Sequence, residues 1–415
     1  MIFLPPHAHT TTTHGAEVHV FSTARCELAE VRATIPLLRE SAGDAAAAAA
    51  LEKFALQPNF PSQHRYRDML LQNGAEFNVS LMTDKLFISG ICPPDKIAKC
   101  LSIVFEACLS VPTDSEFRHL QHATQTHTQM LSEIPDILLH TENLRRRWGN
   151  HPFAWKTSTI PALQQLTRSS YATFVTERIG VADSQFVICV SIPDDRRLLD
   201  KFATKIADEV CHLPAHNLRQ YPETNIPPVD PGSYQLACDG SHTVATMQLM
   251  MPAPLRTSSD HAAFRAAATI LGGYPNSRLL TQLRDKLGIV YQVSSHTDDY
   301  RSAANLTFSL KTPLNLRQET ATRFTESITN FIKHGPTQEE VNDAVRFLIN
   351  STAVSWANPA GFGSAQAALL STGANLGYWN HLASALAGLT ADDVAQAAGR
   401  YMAEDTRILG SIARP

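Results

Sequence analysis

The sequence predicts an α+β protein made of two tandem copies of one unit, each a mixed or antiparallel sheet with helices on one face. Three observations carry this. The chain has 415 residues, long for one core and suited to two domains of about 200 residues each. A segment at 213–232, LPAHNLRQYPETNIPPVDPG, is rich in Pro, Asn and charge and has no hydrophobic period, so it reads as a linker between domains 1–212 and 233–415. Both sides then repeat one helix start, PTDSEFRHL from Pro112 and PTQEEVNDAVRF from Pro336. Each places acidic residues in the first helical turn, where the helix dipole favours them.

In the first domain, alternation predicts strands near 16–21 and 30–37. An alanine run, with Asp44 as N-cap, predicts a helix over 44–56. A helix at 63–73 is stopped by Gly74 and followed by strands at 75–81 and 85–91. Helices at 94–108 and 113–131, a strand at 186–192 and a helix at 196–210 complete the unit. The N-terminal arm, with His7, His9 and His14 among threonines, reads as a disordered or strand-leading tail.

The second domain repeats this order from Ser233. Its most informative stretch is 271–295, LGGYPNSRLLTQLRDKLGIVYQVSS. Gly272 and Gly273 read as a flexible turn, and Pro275 with Asn276 sets up a helix capped by Asn276 or Ser277. Leu279, Leu280, Leu283 and Leu287 form a helical apolar stripe that Gly288 ends. From Ile289 the period becomes two, with Ile289, Tyr291 and Val293 on one strand face. Arg278 and Tyr291 are left over from the core and available to a shared cleft. The run 361–364, GFGS, reads as a turn before an apolar helix.

Composition narrows the function. Hydrophobic content of 44%, charged content of 18% and a formal charge of −4 describe an ordinary globular protein. They give no electrostatic reason for a nucleic-acid or membrane partner. The run Arg145, Arg146, Arg147 reads as a solvated helix face. Seven cysteines without a C-x-x-C pair suit reduced thiols and a cytoplasmic location. Neither a signal peptide nor an 18-residue apolar span is legible. The G-x-S-x-G and G-x-x-x-x-G-K-[ST] patterns are absent, so triad hydrolase and P-loop chemistry lack support.

The 271–295 stretch resembles the C-terminal-domain signature of the pitrilysin/insulinase (inverzincin) metallopeptidases, GG…SRL…LR..GL.Y. The resemblance implies two homologous α/β rolls arranged as a clamshell, with Arg278 and Tyr291 holding a substrate carbonyl. Active members carry H-x-x-E-H on the first helix of the N-terminal domain, two His gripping zinc and a Glu activating its water. Here Ala49, Ala50, Leu51, Glu52 and Lys53 fill those five places. Alanine does not ligate and a protonated lysine repels the ion, so the zinc site is expected to be dead and Glu52 to be a surface or Lys-paired carboxylate. The third ligand, a Glu on a later helix, falls where His127 and Gln129 stand, with Glu133 somewhat late. A separate metal site from Glu116, His119 and His122, with His127 further along, is disfavoured because ligands from one helix rarely converge.

The resemblance therefore implies a chain with no catalytic residue, metal or cofactor of its own, inactive alone. It would pair with a homologous zinc-bearing subunit to process peptides, supplying Arg278 and Tyr291 to the partner's zinc. A scaffold subunit and a non-cleaving peptide binder are the alternatives. The short turn at 272–276, in place of a long glycine-rich lid, points by fold analogy to a bacterial-type pair acting on small peptides or maturing a peptide precursor.

Overall fold

The computed structural model describes every residue except 1–3, 24–26, 194, 216–226, 228, 238–242 and 414–415. Most of the expected linker, together with Cys26 and Cys238, lies outside the described residues.

The first half runs β1 (His7–Thr11), β2 (Glu17–Ser22), β3 (Ala29–Pro36), α1 (Ala42–Phe54), α2 (Pro61–Gln72), β4 (Glu76–Leu81) and β5 (Lys85–Cys92). It continues with α3 (Ile97–Leu109), α4 (Asp114–Ser132), α5 (Pro135–Trp148), α6 (Ile160–Gln165), α7 (Arg168–Arg178), β6 (Gln185–Val190) and α8 (Arg196–Val210). The second half has β7 (Gly232–Ala237), β8 (Val244–Ala253), α9 (His261–Ala268), β9 (Gln292–Asp299) and β10 (Ala304–Pro313). After these come α10 (Arg317–His334), α11 (Gln338–Ser355), α12 (Pro359–Leu370), α13 (Tyr378–Ala387), α14 (Ala391–Tyr401) and β11 (Ile408–Ala413).

The repeat read in the sequence is a repeat of topology. The first sheet has the order β1-β2-β6-β3-β5-β4 and the second β7-β11-β8-β10-β9. In each, one parallel pair (β2 with β6, β7 with β11) is followed by three antiparallel pairs. The first half adds β1 and α8, which pack on one another. Both Pro-Thr starts are capping boxes, closed by Thr113 with Glu116 and by Thr337 with Glu340.

Helices lie on both faces of each sheet, where the sequence pointed to one. The helix α5 leaves its own half to pack on β8 and β11, and α12 packs on β3 and β6. This exchange explains why central strands such as β6 and β8 are buried over nearly their whole length. Under α5, Trp148 is fully buried with Leu144, Phe153, Met250 and Tyr300. Under α12, Phe362 stands edge-on to Phe21, at 5.0 Å between ring centroids. The Arg145–Arg147 run is therefore only partly a solvated face. Arg145 and Arg146 pair with Glu142, but Arg147 is buried and donates to Asn305 Oδ1 at 3.2 Å in the other half.

Other local expectations change for physical reasons. The first helix begins at Ala42, and its N-cap is Ser41, whose side chain accepts from the Asp44 amide; Asp44 sits at the third helical position. Gly272 and Gly273 lie in a π-helical turn (Thr269–Gly273) that extends α9. A Cβ at Gly272 would stand 2.9 Å from the Phe308 ring, so this glycine permits close packing and is no flexible turn. The run 361–364 is inside α12, behind the N-cap Asn358. The histidine arm is strand β1.

Because Trp148 couples α5 to the second sheet, Trp148→Ala should cost about 3–5 kcal/mol in urea unfolding. Amide protection should fall in β8 as well as in α5; loss confined to α5 would refute that coupling.

Candidate functional site

The helix that stands where zinc ligands are expected packs against α4, which brings His127 beside Glu52 and Lys53. The alanine run lets it do so closely, with Ala45 to Ala48 and Ala50 buried and Ala49 half-exposed. Glu52 has found other work. Its Oε1 accepts the Leu81 amide at 2.8 Å, fastening α1 to the end of β4, so it is neither a free surface carboxylate nor simply the partner of Lys53.

Two cations surround this carboxylate. Arg39 is fully buried and donates to the carbonyls of Met82, Thr83 and Lys156. Burial lowers its pKa to about 10, opposed by Asp84 and Glu52, so it stays charged at neutral pH. Burial, then Lys53, pushes the His127 imidazole below its ordinary value. One engaged carboxylate and one imidazole among two positive charges repel a divalent ion. Gln129 donates to Glu133 instead of pointing to a metal. Among the described residues, neither this group nor Glu116, His119 and His122 forms a set of three ligands close enough to share an ion. Glu116 is consumed by its capping box and by the Ser62 amide. These hydrogen bonds outweigh its burial and hold its carboxyl at about 2. The His119 ring packs on Phe60.

In the second half, Arg278 is engaged with residues of its own domain. Its guanidinium is bidentate to Glu340, at 2.6 and 2.7 Å, donates to the Gly335 carbonyl at 3.0 Å and lies over the Phe331 ring. Glu340 is the capping-box residue of α11, just as Glu116 caps α4 while receiving the Ser62 amide from the start of α2. Both halves thus tie the start of one helix to the capping carboxylate of another, and Arg278 is the second half's tie. The Ser277 hydroxyl is buried without a hydrogen-bond partner.

Beyond Arg278 the helix widens to π geometry over Leu280–Lys286. Leu279, Leu280 and Leu283 are buried, whereas Leu287 is 48% exposed and leaves the stripe. Gly288, at φ 65°, ends the helix as expected. Ile289 and Val290 are buried and the strand starts only at Gln292, so Tyr291 is the hinge between them. Its amide donates to Lys311 at 2.8 Å and its side chain is 62% exposed. The sequence reading passed over Arg284. This residue is half-exposed and pairs only locally, with the adjacent Asp285 at 2.9 Å. The repeat itself held the missed signal: Glu116 and Glu340 are equivalent, so a second-half partner for Glu340 was to be sought near Pro275.

With this geometry in view, the family described as "Peptidase M16 inactive domain" matches residues 182–348, from just before β6 into α11. No curated protein matches the chain. Among solved structures, a peptidase M16 inactive domain from Pseudomonas fluorescens is 19% identical, with a TM-score of 0.81 over 99% of this chain and 98% of that one. A protease from Helicobacter pylori is 16% identical, with a TM-score of 0.84 over 100% of both. The periplasmic protease PqqL from Escherichia coli is 15% identical, with a TM-score of 0.74 over 100% of this chain and 46% of that one. Residues 182–348 thus match an M16 inactive domain, the whole chain shares the two-domain fold of these solved structures, and the H-x-x-E-H motif is absent from the sequence. No described helix is long and apolar enough to cross a membrane.

The Arg278–Glu340 pair has a defined stability signature. Burial opposes ionisation of Glu340, but the bonds from Arg278 and Thr337 outweigh it and lower its pKa. A depressed carboxylate stabilises the fold above its unfolded pKa and loses that contribution as pH falls through its folded value. Arg278→Ala should therefore cost about 1–3 kcal/mol at pH 7. The deficit should shrink as pH falls below the ordinary glutamate range and through the lowered folded pKa at which Glu340 takes up a proton. A deficit constant from pH 7 to pH 3 would refute the assignment.

Proposed function

We propose that this chain is the non-catalytic subunit of a two-chain metallopeptidase, supplying the substrate-holding half of a site whose zinc sits on a homologous partner. The observation that carries the reading is the contrast between the two halves. The former ligand helix is filled by Ala49 and Lys53 and its Glu52 is fastened to β4, while the second half keeps Tyr291 exposed at the start of an edge strand. An edge strand offers unpaired backbone groups to an extended peptide, and β9 is such an edge.

In this reading a peptide would lie along β9 with its carbonyl presented to the partner's zinc, which would supply the activated water. The Tyr291 hydroxyl and the Arg284 guanidinium donate hydrogen bonds to the oxygen as it gains charge. Arg278 supports the same helix through Glu340. Free thiols at Cys92, Cys100, Cys108, Cys189 and Cys211 fit a cytoplasmic location. Small peptides or peptide precursors are the proposed substrates.

Alone, the chain should cleave no peptide. Co-expressed with a partner bearing H-x-x-E-H, it should form a 1:1 complex with peptidase activity. Tyr291→Phe or Arg284→Ala should each lower kcat by about 10²–10³ without loosening the complex. Unchanged turnover in both variants would favour a scaffold role. That second reading draws on a chain of complex III2 from Candida albicans, which has a TM-score of 0.75 at 13% identity over 98% of this chain and 95% of that one.

A further inference from the structure

The strand that the first half adds to the repeat carries a cluster with chemistry of its own. In the β1–β2 pair, His9 stands opposite His19 and Thr11 opposite Glu17. Side chains alternate along a strand, so H-A-H at 7–9 and E-V-H at 17–19 place four ligand-type side chains on one face. Ala8, Val18 and Val20 take the other face, in the core.

Directly opposed residues in an antiparallel pair have Cβ atoms about 4.5–5.5 Å apart, close enough for two imidazoles to share a ligand. The His9 and His19 rings are stacked, with centroids 4.4 Å apart. One nitrogen of each and one Glu17 oxygen lie within 4.8 Å of one another, and His19 Nε2 is 3.4 Å from Glu17 Oε2. His19 is only 5% exposed, yet its Nδ1 has no hydrogen-bond partner. An unsatisfied buried polar atom is costly, and its presence beside two other ligand atoms points to a missing third party. The cluster opens onto a cavity of about 610 Å³, whose far wall comes from the second half and includes Asn375 and Asn380.

We propose that His9, His19 and Glu17 form a binding site for a divalent transition-metal ion of the zinc class, with one coordination position open to this cavity. Two imidazoles and one carboxylate suit Zn²⁺, Co²⁺ or Ni²⁺ better than Mg²⁺ or Ca²⁺, which prefer oxygen ligands. The site is on the strand addition, away from α1, and does not depend on the peptidase reading.

The test uses the full chain, stripped of metal by chelation and titrated with Zn²⁺ by calorimetry and with Co²⁺ by visible absorption. One ion per chain should bind with micromolar or tighter affinity. His9→Ala and Glu17→Gln should each weaken binding about 100-fold or more, equivalent to at least about 2.7 kcal/mol. His127→Ala, beside the former catalytic helix, should leave binding unchanged. Far-UV circular dichroism checks that every variant is folded. Affinity weaker than about 1 mM, or binding indifferent to both His9→Ala and Glu17→Gln, would overturn the proposal.

Discussion

Each sheet of this protein has a face that its own helices leave uncovered, and the fold is organised around meeting that need by exchange. The helix α5 is made by the first half and buried by the second; α12 is made by the second and buried by the first. Burial of Trp148, Leu144, Phe362 and Leu370 in this way removes from water apolar surface that either unit alone would expose. Polar contacts fix the registration. Asn143 reaches Gln248, Arg147 reaches Asn305, Arg32 reaches Ser364 and Lys85 reaches Ser371. The two halves are thus one cooperative body, although their chain segments are consecutive.

The helix α1 holds its place without any metal ligand at the expected positions. With ligands absent at Ala49 and Lys53, α1 is held by alanine packing, by Ser41 at its start and by the Glu52 bond to Leu81. Glu52 serves a structural purpose, accepting the Leu81 amide, and its surroundings include the cations Arg39 and Lys53, whose charges disfavour a dication there.

Much of the architecture was legible in the sequence, because local rules sufficed. The capping boxes at Thr113 and Thr337, the stop at Gly288 and the alternation of β2, β3 and β5 depend on neighbours within a few residues. What escaped depended on distant ones. The helix α5 carries three consecutive arginines before Trp148, and only the second sheet explains why one of them is buried. Gly272 looked like a flexible turn because the Phe308 ring that requires it lies 36 positions away. Arg278 looked spare because Glu340 is 62 residues further on, and its spare appearance drew attention from Arg284. Both candidate sites share this pattern: residue types were visible, but prior engagements were not. The His9–Glu17–His19 group is the converse case, an alternation plainly written at 7–9 and 17–19 whose meaning needed the hairpin register.

The helix exchange also sets a schedule for synthesis. A ribosome delivers β1 through α8 well before Pro359, yet the surface of β3 and β6 that receives α12 stays uncovered until that late helix emerges. From the completion of α8 at Val210 until Pro359 is made, the nascent first unit presents Phe21, Val187 and Cys189 to solvent with no cover of its own. Contacts of such long sequence separation form slowly, and surfaces that wait for them are where unfinished chains stick to one another. The order in which the chain is made therefore leaves this protein most dependent on chaperones midway through its own production.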